Sequence, residues 1–170
     1  MIHRRERIIL IGLMGAGKST VGRVLADAIK TRFIDVDDVA VETAGRSIPE
    51  IFETDGEEGF RAIEKSALMR ALASDAGVIA CGGGAILDGS NVDAMRSQGK
   101  VVYLHVDPAI VAERLGSGEG RPLIWGLDVA SRLEKTFEER DGIYRDAAHL
   151  VVDASGDVGV IVDEVIAKTA

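Results

Sequence analysis

The chain has 170 residues, 46% of them apolar and 28% charged, and a net charge of -8. That length suits one compact domain with its own core, and the composition is that of a soluble globular protein rather than a disordered one. The acidic balance argues against a nucleic-acid partner, because no basic tract is present to release counterions from a phosphate backbone.

The single cysteine, Cys81, excludes an internal disulfide and a cysteine-based zinc site. No apolar run reaches the roughly 18 residues of a membrane span. Residues 1–7 are mostly charged, and the apolar stretch after them breaks at Gly12, too early for a signal peptide. A cytoplasmic protein with no membrane partner is the expectation.

In chain order, Ile8–Ile11 reads as a buried strand, and Val21, Val24, Leu25, Ala28 and Ile29 form a helical stripe. Phe33-Ile34 is a second strand, with Asp35 and Asp37 after it. Ser47-Ile48-Pro49-Glu50 has the form of a capping box with proline in the first turn. Phe60-Arg61 reads as the opening of a helix through Ile63, Ala67 and Leu68. Val78–Ala80 is a third strand and leads into Cys81-Gly82-Gly83-Gly84-Ala85. Val101–Leu104 is a fourth, followed by a helix start at Asp107-Pro108. Gly116–Pro122 is glycine-rich and reads as a mobile lid. A helix over Leu133–Phe137 carries Arg140 toward its end. Leu150–Val152 is the fifth strand, and Asp157 caps a last helix. Apolar strands separated by helices predict a three-layer α/β domain, a five-stranded parallel sheet with ligands at the carboxyl ends of its strands.

Gly12 through Ser19 fits the P-loop pattern, glycine then four free positions then Gly-Lys-Ser. Gly15, Ala16 and Gly17 let backbone N–H groups face a phosphate. Lys18 adds a point charge toward the β- and γ-phosphates, Ser19 has the hydroxyl for Mg²⁺, and Thr20 continues into the helix whose positive end faces the anion. ATPases, GTPases and small-molecule kinases share this loop, so it does not name the acceptor. No Asn-Lys-x-Asp run is present to read guanine.

On the acceptor side, alternation along an extended segment puts Asp35 and Asp37 on one side, suited to a hydrated Mg²⁺ and a hydroxyl-bearing substrate. The competing reading is a loop in which Asp37 or Asp38 caps the next helix. The three glycines at 82–84 permit close ligand approach, or make an ordinary turn. Cys81 reads as a packed thiol. Arg61, Arg121 and Arg140 are each a surface charge on the simplest view; together they suit an acceptor carboxylate and a transferring phosphoryl group.

In this order and spacing the motifs resemble the shikimate kinases along nearly the whole chain. The resemblance runs from Gly12–Thr20 through Asp35-Val36-Asp37, Ile48–Phe52, Gly56-Glu57, Phe60-Arg61, Glu64, Gly82–Ala85 and Arg121-Pro122-Leu123 to Arg140 and Tyr144. It implies a nucleoside-monophosphate-kinase-like fold, a single kinase domain over 1–170 with a lid at about 114–125, and a monomer. It also implies ATP-dependent phosphorylation of the shikimate 3-hydroxyl. By position, Asp37 and Gly82–Gly84 hold substrate hydroxyls, and Arg61 and Arg140 its carboxylate. Asp35 and Ser19 serve Mg²⁺, Lys18 and Arg121 contact the transferring phosphate, and Arg114 lies near adenine. One departure stands out: the family's Arg-x-Pro-x-Tyr is Arg140-Asp141-Gly142-Ile143-Tyr144 here. Glycine there is expected to end the helix through a left-handed cap and leave Arg140 less preorganised. A gluconate or nucleoside-monophosphate kinase, and a nucleotide-binding regulator without turnover, are the alternatives.

Overall fold

The computed structural model describes residues 6–116 and 128–170. Its strands are β1 (Ile8–Ile11), β2 (Phe33–Asp35), β3 (Val78–Ala80), β4 (Lys100–His105) and β5 (Leu150–Asp153). They form one parallel sheet in the order β2-β3-β1-β4-β5, so β1 is central, with Ile9 in register with Ile79 and Val101. The helices are α1 (Lys18–Ile29), α2 (Val36–Ala44), α3 (Ile48–Ala73), α4 (Gly89–Gln98), α5 (Pro108–Leu115), α6 (Val129–Ala147) and α7 (Val158–Thr169). Among the described residues no helix is long and apolar enough to cross a membrane.

Strand side chains alternate between faces, and both faces are covered. Ile8, Leu10, Val102 and Val152 pack on one side with Leu25 of α1, Val111 of α5 and Val165 of α7. Ile9, Ile11, Ile79 and Tyr103 pack on the other with Leu68 of α3, Met95 of α4 and Tyr144 of α6. The three-layer α/β architecture read from the sequence is the one present. Because β1 has neighbours that lead away in opposite directions, the topological switch, and with it the ligand crevice, falls at its carboxyl end.

The start signals hold in detail. Ser47 N–H donates to Glu50 Oε2 at 2.7 Å and Glu50 N–H to Ser47 Oγ at 3.3 Å, closing the capping box. Asp107 and Asp157 each accept a backbone N–H at 2.8 Å.

Two helices depart from the sequence reading. No helix opens at Phe60; Arg61 lies inside α3, just past a break at Gly56, whose φ of 69° and ψ of -174° suit only glycine. The break folds Phe52 onto Phe60, ring centres 4.6 Å apart. Likewise Gly142 does not end a helix. α6 runs through it to Ala147, so Arg140 sits in the body of the helix. Burial of Tyr144 and the Tyr103–Asp141 hydrogen bond on either side of Gly142 outweigh the ~1 kcal/mol that glycine costs a helix interior.

Candidate active site

The chain leaves β1 through three glycines at positive φ, Gly12, Gly15 and Gly17 (148°, 76° and 93°), which curl the backbone into a cradle. A Cβ on Gly12 would lie 2.7 Å from the Leu104 carbonyl oxygen, so β4 enforces glycine there. No side chain caps the start of α1, which leaves its first N–H groups aimed at the cradle. Lys18 is buried, and its ammonium donates to the carbonyls of Gly12 at 2.7 Å and Leu13 at 3.0 Å, which fixes its charge over the loop.

The cradle opens into a cleft of about 460 Å³. Gly15 to Thr20, including Ala16 and Ser19, line its floor. Asp35, Asp37, Gly82 and Gly83 line the opposite wall. Arg114 and Leu115 close the far end with Gly156, Val158 and Ile161. There the Arg114 guanidinium donates to the carbonyls of Ala154 and Ser155 at 3.3 and 3.2 Å, tying α5 to the turn after β5.

Asp35 and Asp37 meet at the cleft by a different route from the one expected. The segment is not extended through Asp37: β2 stops at Asp35, and Asp37 is already in the first turn of α2. Asp35, rather than Asp37 or Asp38, is the cap, accepting Asp37 N–H at 2.9 Å while its other oxygen accepts the Ser19 hydroxyl. That capping bond pins β2 to α2 and leaves the Asp37 carboxyl turned into the cleft. Burial raises its pKa to about 6, assisted by repulsion from Asp35 and Glu64 and opposed by Lys18. The Ser19 hydroxyl and two neighbouring carboxylates are hard oxygen donors, a set that fits Mg²⁺ beside bound phosphates.

The acceptor wall is built from α3 and the loop after β3. Arg61 donates to Glu64 Oε1 at 2.9 Å, and Glu64 is only 1% exposed. Burial pushes Glu64 up, and the nearby Arg61 holds it down. Neighbouring groups crowd all three glycines. A Cβ on Gly84 would stand 2.3 Å from the Arg61 guanidinium. On Gly82 it would lie 2.5 Å from Glu64 Oε2 and 3.0 Å from an Asp37 oxygen. On Gly83 it would lie 3.2 Å from Met14 N. Arg140, one turn before Tyr144 on α6, acts electrostatically on the Tyr144 phenol and on Glu64. It does not line the main cleft.

Glu64 is the site residue to which sequence reading assigned no role. Its signal was the i, i+3 spacing from Arg61 on a helix face. Cys81 is a packed thiol, as read: it is buried against Met95, and burial pushes its pKa far up. Arg121 and most of the segment 114–125 expected to form a lid lie outside the described residues.

An anion cradle at the switch point, faced across one cleft by the carboxylates of Asp35 and Asp37, sorts the protein with the P-loop kinases. The comparisons narrow this further. The family model described as shikimate kinase matches residues 14–170, and the chain belongs to that family. It is 43% identical over 154 residues to a shikimate kinase of Dechloromonas aromatica, covering 91% of this chain and 84% of the relative. With the Neisseria gonorrhoeae shikimate kinase it shares 40% over 149 residues, 88% of each chain. The structure of the Acinetobacter baumannii shikimate kinase in complex with shikimate superposes with a TM-score of 0.88 at 34% identity, covering 96% of this chain and 94% of that one. A gluconokinase from Sinorhizobium meliloti superposes at 0.58 with 21% identity, covering 96% and 90%, a likeness of fold alone.

Proposed function

We propose that this enzyme transfers the γ-phosphoryl group of ATP to the 3-hydroxyl of shikimate, forming shikimate 3-phosphate for aromatic amino-acid biosynthesis. The observation that carries the reading is the Asp37 carboxyl facing the phosphate cradle in one cleft, with Glu64 beside it at Gly82 and the Arg61–Glu64 pair packed on Gly84 in a neighbouring cavity. A compact acid with adjacent hydroxyls needs a fixed guanidinium for its carboxylate and a carboxylate acceptor for its hydroxyl proton. Identity above 40% with shikimate kinases, and the shikimate complex of the Acinetobacter relative, support the choice.

In this mechanism the shikimate 3-oxygen attacks the γ-phosphorus in line, and the bond from that phosphorus to the β,γ-bridging oxygen breaks. The hydroxyl proton passes to Asp37, and ADP departs. The transition state is loose, so alignment and charge stabilisation supply most of the rate. Asp37 orients the hydroxyl, Lys18 and the P-loop N–H groups hold the phosphates, and Arg61 and Arg140 hold the carboxylate. Gly82–Gly84 form the wall for the remaining hydroxyls, and Arg114 backs the adenine. Ser19 and Asp35 would hold Mg²⁺, which supplies charge neutralisation to the phosphates when bound. Arg121, outside the described residues, is assigned to the transferring phosphate on the family pattern. The same pattern supports a single kinase unit with a lid over about 114–125 acting as a monomer, and the acidic composition supports a cytoplasmic protein without nucleic-acid or membrane partners.

The test is an acceptor panel followed by ADP release. Shikimate-dependent release far above that with gluconate or nucleoside monophosphates is expected. Activity on gluconate but not shikimate refutes the assignment, and ATP binding with no acceptor-dependent turnover points to a regulator.

A further inference from the structure

We propose that Tyr144 is a positioning residue for the acceptor half of the site, its hydroxyl holding the Gly83 carbonyl against the phosphate loop and its phenol backing Arg140 one helical turn away. The inference rests on the shikimate reading above and adds to it a residue that touches neither substrate.

Tyr144 is 0% exposed although it ends in a polar group, so its hydroxyl must be satisfied internally. It donates to the Gly83 carbonyl, and Arg140, one turn earlier on α6, acts on it electrostatically. Burial pushes its pKa up to about 12, so the hydroxyl stays a donor through neutral pH. Gly83 is the glycine that packs on the P-loop, its Cβ position 3.2 Å from Met14 N and 3.5 Å from both Gly12 O and the Tyr144 hydroxyl. One phenol therefore bridges α6 to the junction where acceptor wall and phosphate cradle meet.

The ring is itself immobilised. It stacks on Tyr103 of β4 at 4.9 Å between centres and 27° between planes. Tyr103 donates to Asp141 at 2.9 Å, and Asp141 accepts from Arg145 at 2.9 Å. These contacts straddle Gly142 and supply rigidity that glycine cannot. Arg140 therefore has an immobilised side chain one helical turn away, in place of a rigid residue two positions on.

Tyr144→Phe keeps the ring and removes the hydroxyl. We expect the shikimate KM to rise about tenfold, the cost of losing one buried hydrogen bond, with the ATP KM changed less than twofold. In an Arg140→Ala background the same substitution should add less than a further twofold. A shikimate KM within twofold of wild type, an equal rise in both KM values, or a full multiplicative effect in that background overturns the proposal. A wild type inert toward shikimate overturns the functional reading and this proposal with it; an active wild type separates the two. Should Tyr144→Phe fail to fold, 3-fluorotyrosine in the wild-type chain serves instead, because Tyr103 and Tyr144 are the only tyrosines. With the resonances assigned through Tyr103→Phe, the Tyr144 fluorine signal should shift on saturation with shikimate. An unmoved signal refutes the role.

Discussion

Asp37→Asn should make the ligand-free enzyme more stable while removing its activity. Asp37 has its pKa raised from the ordinary 3.8 to about 6 by burial and by repulsion from Asp35 and Glu64. A carboxyl that holds its proton more tightly in the folded state stabilises the fold at low pH. That contribution is lost as pH rises through about 6, where the native state must carry a charge it disfavours. The full displacement corresponds to about 3 kcal/mol. Asp37 is half-buried rather than sealed, and water in the cleft screens the repulsion, so about 1–2 kcal/mol is the expected gain at pH 8. For a chain of this size that is a rise in Tm of roughly 3–6 °C. The assay is thermal unfolding of wild type and Asp37→Asn with a chelator present, at pH 8 and at pH 4.5. The stabilisation should be full at pH 8 and fall to roughly a third to a half of that at pH 4.5, where native Asp37 is protonated but the unfolded carboxyl, at its ordinary 3.8, is still largely ionised. A variant no more stable than wild type at pH 8, or equally stabilised at both pH values, refutes the reasoning. Turnover should fall by about 10²–10⁴ in the same variant.

The remaining expectations are simpler. Lys18→Ala should depress kcat severely, whereas Arg61→Ala should act mainly on the shikimate KM, because it grips a part of the acceptor that does not react; steady-state kinetics separate the two. Loss of kcat with unchanged KM for Arg61→Ala would contradict that division. Gly142→Ala should stabilise the protein by about 0.5–1 kcal/mol in urea unfolding, since position 142 is helical and a Cβ there meets nothing within 4 Å. Arg7→Ala should cost about 2–4 kcal/mol by the same measurement. Its guanidinium donates to the carbonyls of Leu72, Ser74 and Ala76 at 2.7–2.8 Å, joining the end of α3 to β1.

How far the sequence reveals this site depends on how local each feature is. All five strands, the Ser47 box and the Asp107 and Asp157 caps were legible because each signal lies within a few residues of the structure it specifies. The Asp35–Asp37 pair was read in the wrong conformation: alternating aspartates suit a strand, but equally a cap followed by the second helical residue, and only the packing of Val36 and Ala40 against the sheet decides. Gly56 was quoted in a motif, yet the break it makes depends on Phe52 meeting Phe60. The need for glycine at 82 and 84 was legible only as permission for close approach. What approaches is Glu64 and Arg61, some twenty residues earlier, and that is tertiary information. Gly142 misled because glycine's freedom is only an option, and burial of Tyr144 decides that the helix continues.

The central position of β1 has a consequence for how the protein is made. Ile8 pairs with Val78 on one side and with Lys100 on the other, so the strand bearing the phosphate cradle is made before either neighbour and stays half-paired until β4 follows. Lys100 lies beyond the midpoint of the 170 residues. Until it emerges from the ribosome, Ile8–Ile11 is an apolar strand with an open edge, the kind of segment that chaperones hold and that aggregates when they do not. Long-range parallel pairing of this sort is also slow to form. Truncated translation products of this chain should therefore be insoluble rather than partly active, and the anion-binding loop, contiguous in sequence, should bind nothing until most of the protein exists.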